Sequence, residues 1–108
     1  MGARVQGLGA GQILFLQEEP ADALFIVLGG WIKLYRTAAN GSEAVIDIMS
    51  GGRSFGEAAA LCGQPWPVSA EALDSARLLR LEAGLVRPLL QSAPLLAMSM
   101  LAPALLRL

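Results

Sequence analysis

Short runs of apolar residues, separated by turn-forming residues, recur along most of the chain. Runs of this length that are bounded by Gly, Pro, Asn and Asp are typical of β-strands. Two of the breaks, Gly29-Gly30 and Asn40-Gly41, are strong hairpin signals. The predicted strands are Gln12–Leu16, Ala23–Leu28, Trp31–Arg36, Ala44–Met49, Val68–Leu73 and Ala76–Leu81.

The pattern becomes helical in two regions. Phe55–Leu61 contains three consecutive alanines, which favour a helix, and the glycine and two prolines of residues 63–67 end it. Glu82–Gln91 predicts a second helix despite Pro88, and Ser92 is a suitable N-cap for a third. The chain therefore reads as β structure with one inserted helix and a helical C-terminal part.

The predicted third helix carries apolar residues at three- and four-residue intervals. This spacing suits a seam with a partner helix, but the same side chains could instead pack on the β domain. Pro103 predicts a kink or a break in that helix. The candidate dimer-interface residues are Leu95, Met98, Ala102 and Leu105.

The chain length, 108 residues, allows one small domain. Six or seven short strands with regularly spaced turns predict a mainly β fold, a closed or rolled antiparallel structure followed by helices. Residues 1–10 hold several glycines and little periodicity, so we expect a loose lead-in there. We expect the β domain over residues 11–82 and the C-terminal helices over residues 83–108.

The composition is apolar for so small a domain, with 55% hydrophobic and 16% charged residues and a mean hydropathy of +0.54. Apolar surface beyond what one small core absorbs is therefore expected, which favours a partner subunit. The stretch Leu85–Leu108 is interrupted by Arg87 and by three prolines, which argues against a membrane span. A net charge of −1 argues against a nucleic-acid-binding surface on this chain. We expect Lys33, Tyr35 and Arg36 on the solvent face of their strand.

The residue types that are missing narrow the chemistry. The chain has no histidine, the commonest general base and a frequent metal and haem ligand. Its single cysteine, Cys62, cannot form an internal disulfide and is interpreted as a small buried side chain in a cytoplasmic protein. No nucleophile–base pair or carboxylate pair stands in a plausible site. We therefore predict a binding module, not an enzyme, and no metal site.

The segment Phe55–Leu61 has the features of a ligand site. Gly56 allows close approach of the backbone, and the start of a helix offers free N–H groups to an anion. Glu57 could accept hydrogen bonds from ligand hydroxyls. Taken alone, the same residues could also form a short surface helix between strands.

The order of these elements resembles the cyclic nucleotide-binding domain, and more closely the sensor domain of Crp/Fnr-type bacterial transcription regulators. The resemblance runs from about Gly11 to the end of the chain. It implies an antiparallel β-roll of the double-stranded β-helix, or jelly-roll, type with a short helix inserted. Its most specific parts are Gly11–Phe15, Phe25–Tyr35, Phe55-Gly56-Glu57 and Pro67–Leu73.

The family's phosphate-binding cassette falls on residues 55–70, which we call the cassette. By this resemblance Glu57 would take a ribose hydroxyl, and the amides of the three following alanines would face the phosphate. The family also places an Arg followed by Ser or Thr at the end of the cassette, where this chain has Trp66-Pro67 or Pro67-Val68. The missing arginine argues against cAMP or cGMP and leaves the effector unknown. The predicted ligand-binding residues are Phe55, Gly56, Glu57, Ala58, Ala59, Ala60, Trp66, Val68 and Ser69.

Several alternatives remain at this point. Arg53 could approach the ligand from the preceding turn, although a solvated turn arginine is the simpler interpretation. Haem or gas sensing is opposed by the missing histidine, as is a metal-dependent cupin-like enzyme. A true cyclic nucleotide module and a ligand-free dimerisation domain both stay open.

The resemblance implies an allosteric role in a homodimer. A small effector in the roll would control DNA binding by a helix-turn-helix domain. No segment of this chain fits such a domain, so any contact with DNA would be made outside these residues.

Overall fold

The computed structural model describes residues 3–92, with side chains to residue 88. Eight strands and two helices make up this part of the chain. In chain order they are β1 (Ala3–Leu8), β2 (Ile13–Phe15), β3 (Ala23–Gly29), β4 (Ile32–Thr37), β5 (Glu43–Met49), β6 (Ser54–Phe55), α1 (Glu57–Cys62), β7 (Ser69–Ala72), β8 (Ala76–Glu82) and α2 (Ala83–Ser92).

The strands form two four-stranded sheets in which every pairing is antiparallel. One sheet has the order β1-β8-β3-β6 and the other has the order β2-β7-β4-β5. Consecutive strands lie in different sheets, except β4 and β5, which pair with each other as a hairpin. This arrangement confirms the predicted mainly β fold, an antiparallel β-roll of jelly-roll type.

The core lies between the two sheets, where alternate residues of each strand point inward. Phe25 and Val27 of β3 face Ile32 of β4 across this space, and all three are almost fully buried. Four aromatic rings occupy one end of it, next to α1: Phe15, Phe25, Phe55 and Trp66. The inserted helix therefore packs on these four rings, which we call the aromatic floor.

The expected loose lead-in over residues 1–10 is wrong for Ala3–Leu8, which form β1. The strand pairs with β8 along its whole length, from Ala3 opposite Leu81 to Leu8 opposite Ala76. It is the edge strand of its sheet, and of its six residues only Leu8 is buried. An edge strand needs few apolar residues, so its hydrophobic signal was weak.

Three expectations about single residues are also wrong. Tyr35 is only 4% exposed, so it does not belong to a solvent face. Cys62, expected inside, is exposed near the end of α1. Arg53, expected as a solvated turn residue, donates to the Asp47 carboxylate at 3.1 Å and to the Ile48 carbonyl at 3.2 Å.

The helix α2 leaves the roll directly after β8. The Ala83 N–H donates to the Asp22 carbonyl, which fixes the point of departure. Pro88 lies inside the helix, as the sequence predicted. The predicted seam of Leu95, Met98, Ala102 and Leu105 lies outside the described residues. Within residues 3–92, no helix is long and apolar enough to cross a membrane.

Candidate functional site: the cassette

The helix α1 follows a glycine whose backbone conformation is unfavourable for other residues. Gly56 has φ 87° and ψ 0°, in the left-handed region. A Cβ added there would lie 2.8 Å from Cζ3 of Trp66. Both the backbone angle and the close approach of the indole therefore require glycine at the start of the cassette helix.

The alanines of α1 let the helix lie close to the roll. Ala59 and Ala60 are buried, whereas Ala58 is exposed. The Ala60 N–H donates to the Gly56 carbonyl at 3.0 Å. The expectation that Ala60 offers a free N–H to a ligand is therefore wrong for this arrangement, because the helix itself uses that group.

A cavity of about 180 Å³ lies between α1 and the interior of the roll. We call it the cassette cavity. It brings together seven of the nine predicted site residues: Phe55, Gly56, Glu57, Ala58, Ala59, Trp66 and Val68. The other two predicted residues, Ala60 and Ser69, do not line it.

Sequence reasoning missed three lining residues, Phe15, Leu34 and Pro67. Phe15 and Leu34 come from β2 and β4, each at an inward position of its strand. The alternation of those strands signalled that they face inward, but not which part of the interior they share. That information depends on how the two sheets pack, which short-range patterns do not contain.

Glu57 places an unsatisfied carboxylate oxygen next to the cassette cavity. Its Oε1 atom is buried and has no hydrogen-bond partner among the described residues. A buried acceptor without a donor costs about 1–3 kcal/mol, more for a charged group. Stability therefore does not explain this carboxylate, whereas a ligand that donates a hydrogen bond would.

Trp66 is part of the aromatic floor as well as the cavity wall. Its ring is stacked on Phe15, with centroids 3.8 Å apart and planes within 8°. Only 3% of the residue is exposed. The same two rings also border a second cavity of about 380 Å³, so they separate two spaces at this end of the roll.

The second cavity contains an arginine whose charge is already compensated. Arg80 contacts Asp22 at 2.9 Å and Glu82 at 2.8 Å, and its guanidinium lies over the ring of Phe25. Burial lowers the pKa of Arg80, but the hydrogen bond to Glu82 and the two carboxylate charges outweigh it and raise the pKa. The hydrogen bond from Arg80 in turn lowers the pKa of the Glu82 carboxyl.

Ser69 faces away from the cassette cavity. It is buried, and its Oγ accepts a hydrogen bond from the Gln17 backbone N–H at 2.8 Å. Its neighbour Ala70 is part of the core, so by strand alternation Ser69 points to the opposite side of the sheet. In this arrangement the serine ties β7 to the loop after β2.

No cation lines the cassette cavity among the residues that the structure describes. The arginine that approaches it is Arg36, whose Nε donates to the Pro67 carbonyl at 3.2 Å. Over the same residues, no group of three or more His, Cys, Asp and Glu side chains could hold a metal ion. The site as described thus combines an apolar wall, one free carboxylate oxygen and one nearby guanidinium.

Comparison with known proteins identifies the fold and its family. The family model of the cyclic nucleotide-binding domain matches residues 5–93. The CRP-like cAMP-activated global transcriptional regulator of Mycobacterium tuberculosis is 29% identical over 78% of this chain and 38% of its own length. This chain thus spans well under half of that relative.

Solved structures agree with this match. A protein from Ruegeria pomeroyi, named provisionally as a cyclic nucleotide binding protein, is 40% identical with a TM-score of 0.84, over 94% of this chain and 45% of that one. The catabolite activator protein of Thermus thermophilus is 28% identical with a TM-score of 0.84, over 97% and 49%. The chain belongs to the cyclic nucleotide-binding domain family, and Crp/Fnr-type transcription regulators are among its structural neighbours.

Proposed function

We propose that this chain is the effector-sensing domain of a Crp/Fnr-type transcription regulator and binds a cyclic nucleoside monophosphate at the cassette. The observation that carries the proposal is the buried, unpartnered Oε1 of Glu57 beside the cassette cavity. A ribose hydroxyl is a donor of the right kind for such an oxygen. The family membership and the cAMP-activated relative support the same ligand class.

The ligand would enter by displacing α1. The cassette cavity, at about 180 Å³, is smaller than the roughly 300–1,000 Å³ typical of ligand pockets. The helix α1 has only six residues and glycines at both ends, so it can shift as a unit. We infer that effector binding moves α1 outward from the roll.

The movement of α1 would be transmitted to α2 through one side chain. Arg87 of α2 donates to the carbonyl of Ala60 in α1. A shift of α1 must therefore either break this hydrogen bond or carry α2 along. Coupling of this kind would make the position of α2 depend on the ligand.

The remaining parts of the proposal rest on the resemblance to the family. The chain would act in the cytoplasm as part of a homodimer, with residues 93–108 supplying the seam between subunits. DNA would be bound through a separate domain, controlled by the position of the helices. The domain itself would bind its effector without catalysing a reaction.

A ligand-free role is the second candidate, and one observation favours it. The stacked pair of Phe15 and Trp66 occupies much of the interior beside α1 and leaves a cavity of only about 180 Å³. If these rings never separate from the helix, the roll would serve only as a scaffold for dimerisation. Binding experiments distinguish this candidate from the sensing role.

Isothermal titration calorimetry with cAMP and cGMP tests the proposal. We expect saturable binding of one of them, and about tenfold weaker binding by Glu57→Gln, because a neutral amide is a weaker acceptor than a carboxylate. Glu71→Gln, on β7 and away from the cavity, is the matched control and should bind normally. The thermal midpoint of Glu57→Gln should not fall, since the lost carboxylate had no partner.

Absence of binding for both nucleotides at millimolar concentration would overturn the cyclic nucleotide proposal in favour of the scaffold. Equal affinities of Glu57→Gln and the unmodified chain would overturn the role of Glu57.

A further inference from the structure

An anionic ligand in the cassette cavity lacks a positive partner on the cavity wall. The wall is apolar except for Glu57, whose charge is negative. Placing a phosphate near a carboxylate in a partly dehydrated site is unfavourable unless a cation compensates it. If the proposed function holds, a basic residue from outside the cassette has to supply that charge.

Arg36 stands opposite the cassette position where the positive charge is missing. In the pairing of β4 with β7, Leu34 lies opposite Ala70 and Tyr35 opposite Ser69. Continuing this antiparallel register by one residue sets Arg36 opposite Val68, which lines the cavity. Residues directly opposite on neighbouring strands have Cβ atoms only about 5 Å apart.

The side chain of Arg36 belongs to the cavity face of β4. Leu34, two residues earlier, lines the cavity, and residues two apart on a strand point to the same face. The Arg36 Nε donates to the carbonyl of Pro67, another lining residue, at 3.2 Å. That bond anchors one edge of the guanidinium at the rim of the cavity.

The other cations of the described residues are paired or lie on other elements. Arg53, Lys33 and Arg80 contact carboxylates, Arg4 and Arg77 lie on β1 and β8 of the other sheet, and Arg87 lies on α2, where it donates to a carbonyl of α1. Arg36 takes part in none of the salt bridges of the described residues, and its hydrogen bond goes to a neutral carbonyl. Its charge is therefore uncompensated.

We propose that Arg36, a strand residue outside the cassette, supplies the positive charge that pairs with the phosphate of the effector. The guanidinium on β4 would thus pair with the phosphate in place of the arginine that the cassette lacks at Trp66–Val68. An arginine can donate two parallel hydrogen bonds to a phosphate, so it contributes orientation as well as charge. This inference rests on the proposed function and adds the residue that recognises the anionic end of the ligand.

Calorimetric titration of the whole chain with cAMP and cGMP, for matched arginine variants, tests the inference. We expect Arg36→Gln to weaken binding by about 10- to 100-fold, because a charge-assisted hydrogen bond is lost. Arg36→Lys should lie between, since it keeps the charge but not the paired donors. Arg77→Gln, an exposed strand arginine in the other sheet, should bind like the unmodified chain. Binding by Arg36→Gln should also depend less on salt concentration.

The outcomes separate this inference from the proposed function. If the unmodified chain binds and Arg36→Gln binds equally well, the role of Arg36 is overturned while the proposed function stands. If Arg77→Gln weakens binding as much as Arg36→Gln, the effect belongs to the overall charge and the inference again fails. If the unmodified chain binds neither nucleotide, both proposals fall together.

A folding control accompanies these titrations. Arg36 is exposed, so the thermal unfolding midpoint of the Arg36→Gln chain should lie close to that of the unmodified chain. If Arg36→Gln fails to fold, Arg36→Lys replaces it in the titrations and should also bind more weakly than the unmodified chain. Val68→Arg in the Arg36→Gln chain places a guanidinium on the facing strand, and restored affinity would support the inference directly.

Discussion

Gly56 joins β6 to α1 in a left-handed conformation, with the Trp66 indole directly beside its Cα. Substitution with alanine should therefore lower the free energy of unfolding for two reasons, the unfavourable backbone angle and the close contact of the new methyl group with Trp66. The first cost is about 1–2 kcal/mol, and forcing an extra methyl into a packed site adds about 1–3 kcal/mol. We expect Gly56→Ala to lower the free energy of unfolding in urea by the sum of both.

Gly41 provides the control for this prediction. It has the same φ, 87°, but a Cβ added there would meet nothing within 4 Å. Gly41→Ala should thus show the backbone cost alone. Equal losses of stability for the two variants would contradict the close packing of Trp66 against the start of α1.

Single residues were predictable where one local rule decides their role. Gly56 and Glu57 stand out because a glycine followed by a carboxylate opens a short alanine helix, and both line the cassette cavity. Arg36 did not stand out, because its position depends on the pairing of β4 with β7. Cys62 was misplaced because cysteine is usually buried, whereas here it lies on the outer side of a surface helix.

At the level of elements, an ion pair supplements the backbone ladder between β8 and the start of β3, and a second ion pair lies within β8. Arg80 of β8 contacts Asp22 just before β3 and Glu82 at the end of β8. The hydrogen bond from Arg80 is the main reason that the pKa of Glu82 lies below its ordinary value of 4.5. A carboxyl with a lowered pKa in the folded state stabilises that state only while it is ionised.

This arrangement predicts how stability depends on pH. The contribution of Glu82 is fully present above pH 4.5 and is lost as the pH falls through the lowered pKa of the folded state. Arg80→Met should remove that part of the acid sensitivity, so its unfolding midpoint should fall less between pH 5 and pH 3. The effect is modest, because Glu82 is 38% exposed and water screens the pair. An unchanged pH profile would contradict a role for the pair.

Elements were predictable where the alternation of apolar residues was strong. The pattern located six of the eight strands, from β2 to β5 together with β7 and β8, and also found α1. It missed β1, an edge strand with little apolar content, and β6, which has only two residues. Both missed strands depend on partners far away in the chain, β8 and β3 respectively.

At the scale of the whole molecule, the structure links the cassette to the C-terminal helix. The helix α1 rests on the aromatic floor on one side and accepts the hydrogen bond from Arg87 of α2 at Ala60. The pairing order of the two sheets did not follow from the strand pattern. The resemblance to a family implied an antiparallel β-roll but no strand order, and short-range signals do not specify which distant strands become neighbours.

Amide chemical-shift mapping by NMR reports directly whether the cassette cavity receives a cyclic nucleotide. The probe is the ¹⁵N-labelled chain titrated with cAMP and, separately, cGMP. We expect one of them to shift the amides of Gly56–Ala59, Arg36 and Val68 and the indole N–H of Trp66, while the amides of β1 change little. Spectra without shifts, or shifts confined to residues remote from α1 and β4, would contradict the proposed binding.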